Sequence, residues 1–265
     1  MPNHVSNILK IEGDSKKVSE VLEILKDEEE GITFDKFLPM PEELVGTSAP
    51  SRIVSQREYD EAKELLEYKL ASGEKVLNTS LPLTKEMQKE LIEKYGSDNW
   101  YDWAYRNWGT KWGAYDGYQL SENSLFFLSA WSTPHKAMIN LSTKYPEVII
   151  KIEYADEDFG HNVGNYVLKD GQIIEEYIPK GGSVEAIKMA LNITGGEDYY
   201  LGDNIYDMLE EDIDDVWYNT LLNVIVEKEI VNENYPKFVQ EYLLNESVKN
   251  EQYEYASKLK NIIKV

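Results

Sequence analysis

The chain has 265 residues, 42% of them apolar and none of them cysteine, which allows a sizeable buried core and excludes disulfides, thiolate nucleophiles and cysteine-based zinc sites. Forty-nine Asp and Glu against 27 Lys and Arg leave a formal net charge of −22, which argues against a nucleic-acid partner, because phosphate recognition needs clustered cations. No apolar run approaches the roughly 20 residues needed to span a bilayer, and the N-terminus lacks a charged-then-apolar leader, so a soluble, cytoplasmic protein away from membranes is expected.

Residues Val5 to Glu12 alternate, with Val5, Asn7, Leu9 and Ile11 on one face, and predict a strand. Asp14 or Ser15 then caps a helix whose stripe is Val18, Val21, Leu22 and Leu25. Phe34 to Leu38 reads as a second short strand, stopped by Pro39 and Pro41. Between Glu42 and Gly96 no alternation occurs. Ser55 to Glu58 is a capping box followed by Tyr59, Ala62, Leu66 and Leu70 at helical spacing, and a further helix starts at Thr84 with Met87, Leu91 and Tyr95 on one side.

Five of the six tryptophans (Trp100, Trp103, Trp108, Trp112 and Trp131) fall between Gly96 and Pro134. With Asp98 as N-cap and Gly109 as stop, a helix is expected from about Asn99 to Trp108, sharing Tyr101, Tyr105 and Trp108 on one face. These rings read as a core; a stacking platform for bases or sugars is the sharper alternative. Arg106 and Lys111 are the cations among them, expected to stack on Trp108 or Trp112 and to hold the Gly109–Thr110 turn. Arg106, Trp108, Lys111 and Asp116 are also carried as candidate ligand-binding residues.

Strands follow at about Tyr115 to Leu120 and Leu125 to Trp131, the apolar run Leu125 to Leu128 reading as a central strand covered on both faces. Next comes a helix capped by Thr133 with Pro134 first, through Ala137, Met138 and Leu141. Val148, Ile150, Ile152 and Tyr154 alternate as a half-buried strand, and Asp170–Gly171 fits a type I′ hairpin turn. The order predicts an α+β fold: a ferredoxin-like, split βαβ antiparallel sheet, with a helical insertion at about 42–112. A domain boundary is expected near Lys180 to Gly182, giving a ferredoxin-like domain over 1–180 and an acidic helical C-terminal region over 183–265. There Val184, Ile187 and Leu191 make a stripe, then Leu209, Ile213, Val216, Thr220, Leu221 and Val224; Pro236 opens another helix.

The strings MPNHVSNILKIEGD, FDKFLPMPEEL, YGSDNWYDWAYRNWGTKWGAYD and FFLSAWSTP occur in that order. Together they resemble the YubB-type ferredoxin-like family over roughly residues 1–155. The resemblance implies the fold and an origin in phages, plasmids or integrated elements, and brings no activity with it. Val248 to Ile263 is similar to the UVR motif, a helical hairpin used for protein contacts, with departures at Ser257, Lys260 and Asn261.

Between Glu197 and Asp215 lie nine acidic residues, with no basic residue before Lys228. Asp203, Asp207 and Glu211 repeat at four, so a helix there would carry an unbalanced carboxylate face. Asp203, Asp207, Glu210, Glu211, Asp214 and Asp215 are the candidate partner-binding residues, for a basic surface of a bacterial host protein. Asp156, Glu157 and Asp158 with His161 read as a polar turn rather than a metal site. No phosphate cradle, zinc-peptidase pair or nucleophile elbow occurs. The expectation is a non-enzymatic interaction protein of a mobile element, an acidic inhibitor of a host defence or nucleic-acid-binding protein, with no cofactor and no resident metal. The alternative is a metal-dependent enzyme using Asp203, Asp207 and Glu211.

Overall fold

The computed structural model describes residues 3–72, 80–158, 160–194, 223, 226, 237–249 and 251–262. Strand β1 (His4–Glu12) buries Val5, Asn7, Leu9 and Ile11 and leaves the intervening positions accessible, the expected period of two. Helix α1 (Ser15–Leu25) begins where Asp14 accepts a hydrogen bond from the Lys16 amide, and it buries Val18, Val21 and Leu25. Each such side chain contributes about 1.5–3 kcal/mol on burial, so this stripe fixes which face of the helix turns inward.

Phe34 to Leu38 is a turn, not the expected strand. The Phe37 and Leu38 amides both donate to the Phe34 carbonyl, and the Asp35 amide donates to Thr33 Oγ1 at 3.1 Å. The physical reason is spacing: a strand would send Phe34 and Phe37 to opposite faces, whereas a turn lets both rings bury together. They meet edge to face at 6.0 Å, and Phe34 also meets Trp108 at 6.0 Å and Phe127 at 6.3 Å.

The insertion therefore lies between α1 and the next strand. It holds α2 (Gln56–Ala71), α3 (Lys85–Tyr95) and α4 (Trp100–Asn107). The Ser55 capping box forms, with the Ser55 amide donating to Glu58 Oε2 at 2.9 Å, and Thr84 accepts from the Met87 amide at 3.2 Å. Two isolated parallel bridges, Thr47 with Leu81 and Ile53 with Leu83, tie the insertion's extended segments together. The cap of α4 is Asn99 rather than Asp98: Asn99 accepts from the Asp102 amide at 2.9 Å, while the Asp98 carboxylate takes the Gln88 side-chain amide at 2.7 Å.

After α4 come β2 (Tyr115–Ser121), β3 (Ser124–Ala130), α5 (His135–Lys144), β4 (Ile149–Asp156), β5 (Val163–Lys169), β6 (Gln172–Tyr177) and α6 (Val184–Thr194). The sheet order is β2-β3-β1-β4-β5-β6. Each helix-linked pair, β1 with β2 and β3 with β4, is split by one strand, which is the ferredoxin-like arrangement, extended by the β5–β6 hairpin. Strand β3 is alternately buried, with Leu125 and Phe127 inside and Phe126 and Leu128 half-buried, rather than covered on both faces. Phe126 stacks on Tyr118 of β2 at 4.9 Å. Helix α5 starts at His135, one residue beyond Pro134, and buries Ala137, Met138 and Leu141 as expected.

The chain divides into two compact units, Met1–Val5, Leu9–Lys151 and Val167–Glu175 in one, and Ser6–Ile8, Ile152–Tyr166 and Glu176–Val265 in the other. In the second unit α6 packs Ala186, Ala190 and Ile193 against Ala155 and Val163, while Val184 of the expected stripe is exposed. Helices α7 (Lys237–Lys249) and α8 (Tyr253–Ile262) pack on each other, with Tyr255, Ala256 and Leu259 buried as the amphipathic pattern requires. Among the described residues no helix is long and apolar enough to cross a membrane.

Candidate functional site

The aromatic stretch divides into a core and a rim. Trp103 and Trp108 are buried and meet edge to face at 5.3 Å, whereas Tyr105 on the expected apolar face is exposed. The reason lies at the end of α4. The Trp108 indole N–H donates to the Leu38 carbonyl at 2.9 Å, which turns the buried side of the helix toward the Phe34 turn. Gly109, at φ 87°, then reverses the chain, its amide bonded to the Ala104 carbonyl.

Two loops meet beyond that reversal, and hydroxyl groups pin them. Ser132 Oγ donates to the Gly109 carbonyl at 2.6 Å, Ser129 Oγ donates to the Ser132 carbonyl at 2.8 Å, and Thr110 Oγ1 donates to the Trp112 carbonyl. Lys111 is thereby held with its ammonium 4.4 Å from the centre of the Trp131 ring and 4.8 Å from that of Trp112. Tyr101 meets Trp131 edge to face at 6.2 Å, Trp100 meets Tyr101 at 5.8 Å, and Trp112 leans on Tyr115 at 6.4 Å. Tyr115 in turn shares a 2.6 Å hydrogen bond between its hydroxyl and His4 Nδ1. The result is a cation clamped by two indoles at the surface. Trp131 is 45% exposed and sits at φ 69°, a left-handed conformation that is an outlier for so bulky a residue.

Of the four candidate ligand residues, Lys111 alone joins this clamp. Trp108 is core. Arg106 does not stack on Trp108; its Nη1 donates to the carbonyl of Gly96, the left-handed cap of α3. Asp116 is exposed at φ 50°, where β2 bulges against β3. Lys136 donates to the Tyr105 carbonyl at 3.1 Å and lies 5.3 Å over its ring, a second cation–π contact on the same rim. Sequence reasoning found Lys111 and Trp112 and missed Trp131, which comes from the far end of β3. The one available signal was a tryptophan placed just after the buried strand, followed by Ser132, Thr133 and Pro134.

The six acidic partner-binding candidates, Asp203, Asp207, Glu210, Glu211, Asp214 and Asp215, lie outside the described residues, as does the Leu209 to Val224 stripe. Asp156, Glu157, Asp158 and His161 lie in a polar turn, where buried Asp156 accepts from the Asp158 amide at 2.9 Å and from the Asn162 side chain at 2.7 Å. Among the described residues no three His, Asp or Glu side chains are grouped to hold a metal ion. Exposed Glu43 takes hydrogen bonds from Lys94 at 2.7 Å and Tyr95 at 2.8 Å, and the Lys94 ammonium above all lowers its carboxyl to about 2.

The rim can do what interface anchors do. Large amphipathic rings present area at low side-chain entropy, and tryptophan and tyrosine dominate the centres of protein interfaces. A cation–π contact of this kind is worth about 0.5–1 kcal/mol at an exposed site.

Residues 107–196 match the family model described as a ferredoxin-like domain in Api92-like protein. The matched span runs from the end of α4 past α6, less than half of the chain, and agrees with the sheet seen there. Among solved structures, the crystal structure of a protein api92 from Yersinia pseudotuberculosis is similar at 12% identity and a TM-score of 0.35, over 69% of this chain and 99% of that one. No curated protein is a match.

Proposed function

We propose that this chain is a non-enzymatic protein–protein interaction protein of a phage or other mobile element, working in the bacterial cytoplasm. Its partner offers a basic surface, and a host defence or nucleic-acid-binding protein, held off by imitation of nucleic-acid charge, is the reading that fits. The observation that carries it is the Lys111–Trp112–Trp131 clamp, an exposed aromatic anchor on a strained backbone in a chain of net charge −22. Aromatic anchors supply residence time, while the charge speeds encounter and selects the partner's sign. Asp203, Asp207, Glu210, Glu211, Asp214 and Asp215 are the acidic contacts in this reading, and the resemblance to the YubB-type family supplies the genetic context.

The test is affinity capture from a bacterial lysate with three forms: intact chain, Trp131→Ala, and a belt variant with Asp207, Glu210, Glu211, Asp214 and Asp215 changed to their amides. A partner held by the first and lost by the other two supports the reading, and its retention should fall as salt rises from about 50 to 500 mM. Capture that ignores salt and both variants would refute it.

A further inference from the structure

The β5–β6 hairpin begins at a tight turn and ends the sheet. Asp170 and Gly171 connect the strands at φ 48° and 70°, both left-handed, which is the two-residue type I′ turn. Such a turn makes Lys169 and Gln172 the hydrogen-bonded pair that closes the hairpin. Amide direction alternates from there, so Gln172 and Ile174 turn their backbone groups toward β5, and Ile173 and Glu175 turn theirs away. The turn is anchored: the Gly171 amide donates to Ser142 Oγ at 3.1 Å, and Lys169 Nζ donates to the Glu147 carbonyl at 2.9 Å.

Strand β6 ends the sheet order, and all six of its residues are exposed. Protein sheets normally blunt such an edge with lysine, proline, a bulge or a covering loop, since its open amides invite another strand. Strand β6 itself carries no lysine and no proline. It offers Ile173 at 44% and Ile174 at 53% exposure, one on each face, with Tyr177 and Ile178 exposed beyond them. Glu175 and Glu176 follow the isoleucines, again one on each face, and neither forms an ion pair among the described residues. Two β-branched residues beside two unneutralised carboxylates, on a preformed edge, make a template with a definite sign.

We infer that β6 is a strand-addition site for an extended basic segment of a partner protein, in which lysine or arginine alternates with β-branched residues. Backbone bonds to Ile173 and Glu175 would supply affinity. Apolar residues over Ile173 and Ile174, and cations opposite Glu175 and Glu176, would supply choice of sequence. A second copy of the chain fits less well, because it would bring another Glu175–Glu176 pair and another 22 negative charges to the same edge. The sign of the partner rests on the proposed function; the edge itself does not.

The probe is a short synthetic peptide of alternating lysine and valine, compared with its glutamate–valine counterpart, titrated calorimetrically into the full chain with amide hydrogen exchange read in parallel. Expected are binding of the lysine peptide only, and new protection at the Ile173 and Glu175 amides. Glu175→Pro removes an outward amide, at a position where edge strands accept proline, together with one of the two carboxylates, and should weaken binding about tenfold or more with little change in the melt. Should proline disturb the fold, Glu175→Lys with Glu176→Lys replaces it and should reverse the preference between the peptides. Binding untouched by either variant, or no binding at all, overturns the proposal. Protection that grows with protein concentration without peptide overturns it in favour of a second copy. A lysate partner retained by Glu175→Pro but lost by Trp131→Ala sinks the edge and keeps the function. An edge that binds the peptide in a chain that captures nothing does the reverse.

Discussion

Trp131 offers a test that turns on a sign. At an ordinary exposed site alanine is more stabilising than glycine, by roughly 0.5–1 kcal/mol, because glycine loses more backbone freedom on folding. At φ 69° an L-residue instead carries a left-handed cost of about 1–2 kcal/mol that glycine does not. Trp131→Ala and Trp131→Gly lose the same contacts, the Lys111 ammonium at 4.4 Å and the Tyr101 ring at 6.2 Å, so their difference isolates the backbone. Subtracting one effect from the other leaves glycine ahead by up to about 1.5 kcal/mol, a few degrees in melting temperature. Paired thermal and urea melts of the two variants measure it. If the alanine form is the more stable, Trp131 does not hold a left-handed conformation in solution, and the strained anchor on which the functional reading rests is wrong.

Three further outcomes are expected. Trp108→Phe should destabilise by about 2–3 kcal/mol in urea, since it strands the Leu38 carbonyl and thins the contact with Trp103 and Phe34, while partner capture by the folded fraction is unchanged. Gly31→Ala should cost about 3 kcal/mol or more, or abolish folding, because a Cβ there would sit 1.7 Å from the Gly117 carbonyl oxygen at φ 73°, where β2 is tied to the Glu30 carbonyl; a soluble variant with an unchanged melt would contradict that close approach. Glu43, lowered to about 2 chiefly by its Lys94 partner, favours the fold above its ordinary 4.5 and loses that contribution as pH falls from 4.5 through 2. Glu43→Gln should therefore differ from the parent at neutral pH and converge with it at the acid end, by a small margin because water screens the exposed pair.

Periodic segments were legible because their burial follows from spacing alone: Val5 to Ile11 in β1, Val18 to Leu25 in α1, and Ala137 to Leu141 in α5 each bury the face their pattern marks. The Asp170–Gly171 turn and the Ser55 and Thr84 caps were legible for a different reason, since short-range backbone chemistry demands those residue types. Phe34 to Leu38 was not, because two phenylalanines three apart suit a strand's composition but a turn's geometry, and only Trp108, seventy positions on, chooses between them.

By itself the sequence determined the α+β, ferredoxin-like fold class, the unusual negative charge, and the concentration of tryptophan in one window, but not the place of the second strand. Those depend on neighbours a few residues apart and on composition. Only the tertiary structure decided which aromatics are core and which are rim, that Lys111 would meet Trp131, and that β6 would end the sheet with both faces open. Each of these joins residues far apart in the chain, and a ring or a strand edge is buried or left bare by what arrives beside it.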